Sequence, residues 1–148
     1  HNGLIAADGA KYVLIHDGAR PCITQKIITD SIDAVKVYSA CTVGVPVKDT
    51  IKIVDEDQMG VDTPDRSRLW QVQTPQSFNR ELLLTCYDGL AHDKCQVITD
   101  DTMIVERYSS VRTKVIMGAY ENLKITTPED LKIASNFLKK DVDTKMVK

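Results

Sequence analysis

The sequence predicts an α/β domain, and three observations carry that prediction. Two compact apolar runs, Lys11 to Ile15 (KYVLI) and Cys41 to Val47 (CTVGVPV), read as strands. The second is so rich in β-branched residues that it suits a buried parallel strand. Between them Ile28, Ile32 and Val35 recur at helical spacing behind a capping threonine, Thr24, which predicts a helix to about Tyr38. Strand, helix, strand is the α/β alternation. The third observation is a break in that pattern. Thr50 to Val54 (TIKIV) alternates, Asp55 to Gly60 is turn chemistry, and Val61 to Pro64 alternates again. So polar a hairpin cannot bury both faces, and it is expected to project as an arm over about residues 50–68.

The rest of the chain returns to the first pattern. Leu69 to Gln73 (LWQVQ) predicts a strand, Thr74 to Phe78 a loop, and Asn79 the cap of a helix through about His92. Thr99-Asp100-Asp101 predicts the start of another helix, with acids in its first turn and Thr99 as the simplest N-cap. Val111 to Met117 (VRTKVIM) predicts a strand, and Leu123 to Thr126 (LKIT) a further short extended run with Lys124 on its edge. Thr127-Pro128-Glu129-Asp130 is an N-cap, a proline at the first helical position and two acids, so a helix follows to about Lys139. Lys140 to Lys148 are expected to be loose.

Composition narrows the functional classes. The chain has 148 residues, 43% hydrophobic and 27% charged, with net charge −2, the content of one soluble globular domain spanning 1–148. There is no basic excess to suit a nucleic-acid backbone. No apolar run reaches the ~20 residues of a membrane span, and no secretory leader is visible. Cys22, Cys41, Cys86 and Cys95 are scattered; reduced thiols and a cytoplasmic location are the expectation.

The chemistry gathers on loops. His16-Asp17-Gly18-Ala19-Arg20-Pro21 follows the first strand, and in open α/β sheets ligands bind past the carboxyl ends of strands. A carboxylate and a guanidinium three residues apart can hold polyol hydroxyls, metal-bound phosphate, or only each other. Asp49/Thr50, Asp65/Arg66, Thr74, Thr99/Asp100 and Lys124 add hydroxyls and charges of the kinds that bind phosphate, hydroxyls or Mg²⁺. Each taken singly has a plain alternative as a cap, a strand end or a surface charge. His16 reads as a satisfied polar residue at a strand end, and the three histidines share no spacing that suggests a base. The residues alone therefore point to a polyanion-binding α/β domain.

Five blocks take the reading further: HDGARP at 16–21, VPVKDTIK at 45–52, TPDRSRLWQVQTPQSF at 63–78, ITDD at 98–101 and ENLKITTPEDL at 121–131. Together, in this order, they resemble the 2-C-methyl-D-erythritol 4-phosphate cytidylyltransferase family. Ribitol-phosphate cytidylyltransferases share the first loop, the TPQ and the lysine block, and are the alternative. The resemblance implies a Rossmann-like nucleotidyltransferase sheet with flanking helices. It implies cytidylyl transfer from CTP to methylerythritol phosphate with Mg²⁺, in isoprenoid biosynthesis, by a homodimer joined through the β-arm. On the matching motifs, Asp17 and Lys124 would be catalytic, with Asp17 at the sugar hydroxyls or the cofactor and Arg20 beside it. Thr74 and Lys124 would lie at the substrate and its phosphate, Thr99 would flank that pocket, and Thr50 and Arg66 would reach the partner subunit's site. The family also begins with a glycine-rich loop whose arginine and lysine wrap the CTP triphosphate. No such segment precedes HDGARP here, so the chain is expected to be the carboxyl-terminal two-thirds of the domain, a non-catalytic fragment when alone.

Overall fold

The computed structural model describes residues 1–93 and 97–146. The elements in order are α1 (Asn2–Ala6), β1 (Tyr12–Ile15), α2 (Gln25–Tyr38), β2 (Ala40–Pro46), β3 (Ile53–Val54), β4 (Gly60–Asp62), a 3₁₀ turn (Arg66–Arg68), β5 (Trp70–Asn79), α3 (Arg80–Ala91), α4 (Asp101–Tyr108), β6 (Lys114–Met117) and α5 (Pro128–Met146). Four strands form one sheet in the order β1-β5-β2-β6, and β3 pairs with β4 alone. The expected α/β architecture with flanking helices and a separate hairpin is what the chain builds.

The longest strand is the one that the sequence pattern cuts short. β5 has ten residues and pairs antiparallel with β1 on one side and β2 on the other. Thr74 to Phe78, expected as a loop, lie inside it. The register explains how a proline is tolerated there. Thr42 faces Gln76 and Gly44 faces Val72, so one β2 residue stands opposite three on β5. At such a bulge the ladder is interrupted, and a residue without an N–H costs no sheet hydrogen bond. β2, expected to be parallel and buried, is buried, but it is parallel only toward β6 and antiparallel toward β5.

Side chains alternate across β2 and so knit both layers to it. Ala40 joins a core with Phe78, Leu83, Cys86, Ile104 and Val105, contributed by β5, α3 and α4. Cys41 points the other way, its Sγ–H toward the Ser31 carbonyl of α2 at 3.5 Å. Phe78 is wholly buried, and burying such a ring contributes roughly 1.5–3 kcal/mol. Cys22 and Cys86 are buried thiols too; Cys95 lies outside the described residues.

Three helix starts are capped where the sequence put them. Thr24 accepts from the Ile27 amide, and Asn79 from the Leu82 amide. Asp130 accepts from the Thr126 and Thr127 amides, while the Thr127 hydroxyl accepts from the Asp130 amide. Four details differ from expectation. The buried stripe of α2 is Ile27, Ser31 and Val35, and Ile28 is left exposed. Ser31 can be buried because its hydroxyl donates to the Ile27 carbonyl one turn back, at 2.7 Å. Asp100, not Thr99, caps α4, since its carboxylate accepts from the Met103 amide. Leu123 to Thr126 form no strand; the segment is held instead by the Ile125 amide donating to the Ala19 carbonyl at 2.8 Å. Finally α5 continues past Lys139 to Met146 rather than loosening at Lys140.

Candidate active site

The loop after β1 closes with the Arg20 amide donating to the Asp17 carbonyl, which turns both side chains to the same side. Arg20 Nε then donates to Asp17 Oδ2 at 3.1 Å, and Lys124 Nζ reaches the same oxygen at 3.3 Å. Thr74 arrives from the bulge of β5. Its Oγ1 accepts from the Asp17 amide at 3.0 Å and lies 2.9 Å from His16 Nδ1. The other ring nitrogen, Nε2, is 3.1 Å from the Arg20 carbonyl. A carbonyl can only accept, so Nε2 carries a proton and His16 staples the loop. His16 is the satisfied strand-end residue that the sequence suggests.

Asp17, Arg20, Thr74 and Lys124 line a cleft of ≈ 330 Å³, which also includes Gln76, Thr99 and Asp101. Four of the expected residues, Asp17, Arg20, Thr74 and Lys124, are thus bonded together, and Thr99 stands on the same wall. Burial alone would raise the Asp17 carboxyl, but the hydrogen bonds and charges of Arg20 and Lys124 outweigh it and hold it below its ordinary 3.8. Asp17 is therefore an anion at neutral pH. The arrangement puts two cations on one carboxylate, with the Thr74 and Thr99 hydroxyls lining the same cleft, groups of the kinds that bind phosphates and hydroxyls.

Thr50 and Arg66 are not in the cleft. Arg66 instead donates to the Lys48 carbonyl at 2.6 Å, at the root of the arm. The arm itself exposes every residue of β3 and β4, including Ile53, Val54 and Val61. Among the described residues no group of three or more His, Cys, Asp or Glu side chains could hold a metal ion.

Three residues that matter to the site escape the sequence reading. Gln76 Nε2 donates to Asp100 Oδ2 at 2.8 Å, and its Oε1 accepts from the Asp101 amide, which pins the start of α4 against the cleft. Gln73 lines the cleft and Asn122 is buried behind it, the two joined by a bond from Asn122 Nδ2 to Gln73 Oε1. Amide side chains carry no charge or special spacing to mark them; their only signal is membership of the TPQ and ENLK blocks.

A profile of the 2-C-methyl-D-erythritol 4-phosphate cytidylyltransferase family matches residues 1–140. A 2-C-methyl-D-erythritol 4-phosphate cytidylyltransferase of Lachnospira eligens is 50% identical over 129 residues, 86% of this chain and 57% of the relative. One from Caldanaerobacter subterraneus subsp. tengcongensis is 48% identical over 141 residues, 95% of this chain and 61% of its own length. The chain therefore spans about three-fifths of the curated relatives it matches. Among solved structures, the 4-diphosphocytidyl-2C-methyl-D-erythritol synthase of Anaerococcus prevotii superposes with a TM-score of 0.85 at 35% identity, covering 93% of this chain and 64% of that one. The 2-C-methyl-D-erythritol 4-phosphate cytidylyltransferase of Thermus thermophilus gives 0.82 at 27% identity, covering 93% and 66%. On the match across nearly its whole length and on this identity, the chain belongs to the 2-C-methyl-D-erythritol 4-phosphate cytidylyltransferase family.

Proposed function

We propose that this chain forms the acceptor side of an enzyme that transfers the cytidylyl group of CTP to 2-C-methyl-D-erythritol 4-phosphate, releasing pyrophosphate. The observation that carries the reading is the Asp17 carboxylate held between Arg20 and Lys124 in the cleft. An anion so fixed accepts hydrogen bonds from polyol hydroxyls, while the Lys124 ammonium, half exposed, is placed to meet a phosphate. The second ionisation of a phosphate monoester lies near ~6, so its oxygen is a nucleophile at neutral pH without a general base. That oxygen forms a bond to the α-phosphorus of CTP as the bond to the β-phosphate oxygen breaks. The chain's work is alignment and charge neutralisation, which fits a site of cations and hydroxyls beside which His16 is tied to structure.

Mg²⁺ is proposed as the companion of the CTP triphosphate. Asp17 is already shared by two cations and the described residues offer no cluster of metal ligands, so no ligand in this chain is assigned to it. The arm is proposed to embrace a second copy, bringing Thr50 and Arg66 to the partner's cleft. Its uncovered Ile53, Val54, Met59 and Val61 support that reading. No helix among the described residues is long and apolar enough to cross a membrane; the cytoplasmic location is part of the proposal.

The test is pyrophosphate release from CTP and methylerythritol phosphate. It is run on the chain and on a chimera in which the chain replaces the matching 129 residues of the Lachnospira eligens relative. Transfer by the chimera, lost on Asp17→Asn, is the expected result. A chimera that folds and prefers ribitol 5-phosphate, or transfers to neither acceptor, would overturn it.

A further inference from the structure

Asn122 is wholly buried, two residues before Lys124, and it touches each piece of the site through a different atom. Its carbonyl accepts from Arg20 Nη1 at 2.8 Å. Its Nδ2 donates to the Thr74 carbonyl at 2.9 Å and to Gln73 Oε1 at 3.3 Å. Gln73 Nε2 in turn donates to the Ala119 carbonyl at 2.9 Å, and the Asn122 amide donates to that same carbonyl at 3.0 Å. The fit leaves no slack. A Cβ on Gly118 would stand 2.5 Å from Gln73 Oε1 and 2.6 Å from Val43 Cγ1. Asn122 Oδ1 is buried without a partner, a cost usually avoided. The side chain therefore earns its place by what its nitrogen donates.

Three separate chain segments meet at this residue: the loop after β1 through Arg20, the β5 bulge through Thr74, and its own segment, which carries Lys124. We infer that Asn122 is a positioning residue of the transfer reaction. Its Nδ2–H bond to Thr74 and its carbonyl bond to Arg20 set the separation at which Asp17, Thr74 and Lys124 face the acceptor. The inference rests on the function proposed above and concerns a group that never meets the substrate. Arg20 is the charged group hydrogen-bonded to Asn122, and through Asp17 it is linked to Lys124.

Two variants separate the donated bond from mere packing. Asn122→Leu keeps the branching and the number of heavy atoms and removes the donor. Asn122→Asp keeps the shape, but an ionised carboxyl cannot donate to the Thr74 carbonyl, whereas a protonated one can. Burial favours the protonated form as the pH falls. Measured as ratios to the parent, which cancel the titration of the substrate phosphate, kcat/KM for the acceptor should fall about 100-fold in both at pH 8, the scale of a misplacement of about 1 Å. The Asp variant should recover about tenfold toward pH 6, by analogy with one regained hydrogen bond, and the Leu variant should not. Parent kinetics in both variants, or equal and pH-independent losses, would overturn the inference. If Leu fails to fold, Asn122→Ser, with a donor too short to reach, takes its place under the same criteria. If the folded parent chimera does not turn over, the functional reading fails by itself. Crystal structures of the chain then decide the inference: Asp17–Lys124 and Arg20–122 contacts displaced in Asn122→Asp support it, and contacts retained at parent distances overturn it.

Discussion

The cleft and the arm are built on opposite terms within one chain. Every polar group around Asp17 is answered by another from a distant part of the sequence: Thr74 from β5, Lys124 and Asn122 from the segment before α5. The arm's bonds are local. Asp55 Oδ1 accepts from the Asp57 and Met59 amides, and Lys52 donates to Thr63 across the hairpin. Its apolar side chains face outward, with Val61 65% exposed. The cleft is thus positioned by the fold's own core, whereas the arm is shaped locally and has no surface of its own to rest on. The difference sets a region whose contacts are complete within one chain against one whose apolar side chains are left uncovered, which is why the proposed second copy is placed at the arm.

The contrast is broken most severely at its foundation. Phe78→Ala should cost about 3–5 kcal/mol in denaturant unfolding, the usual loss for a fully buried ring. Val61→Ser should leave the unfolding free energy within about 0.5 kcal/mol while raising the dimer dissociation constant in analytical ultracentrifugation. A loss at Val61 comparable to that at Phe78 would mean the arm packs on its own body.

The next largest effect is expected at the cleft. In the active chimera, Lys124→Ala and Asp17→Asn should each slow acceptor-dependent transfer by roughly 10²–10³-fold, the cost of removing an oriented electrostatic group. Steady-state kinetics with a full acceptor titration checks this, and unchanged kcat and KM in both would remove these residues from the site. Asp17 also gives a pH signature. Its folded pKa is depressed, so its contribution to stability is complete above the unfolded value and is lost as pH falls through the lowered folded value. Acid titration of unfolding should therefore be shallower in Asp17→Asn than in the parent, a small difference because the group is partly open to solvent.

Sharing of the site between subunits can be tested by complementation. Asp17→Asn and Arg66→Ala proteins, each impaired, are unfolded, mixed and refolded. Half of randomly paired dimers are mixed, and each holds one site with both residues intact, so about a quarter of parent activity should return if Arg66 acts in trans. No recovery, with mixed dimers confirmed by native mass, would place Arg66 in its own subunit. The smallest effect is chemical: burial pushes the Cys41 thiol up to about 11, so Cys41 should resist iodoacetamide at pH 8 until the protein unfolds.

What the sequence determined by itself is local or chemical. The α/β alternation, the caps at Thr24, Asn79 and Thr127, and the exposed hairpin follow from interactions within a few residues, where propensity and pattern suffice. Asp17, Arg20, Thr74, Thr99 and Lys124 could be singled out as candidates because charged and hydroxyl groups in matching blocks announce their chemistry, and all five line one cleft. The tertiary structure decided what depends on distant partners. Thr74 to Phe78 look like a loop until β1 and β2 close on both sides and a bulge relieves the proline. Asn122 is unremarkable until Arg20 and Thr74 converge on it. Uncharged amides acquire their roles only from the groups they meet, and the contacts of Asn122 with Thr74 and Arg20 span 48 and 102 residues of chain.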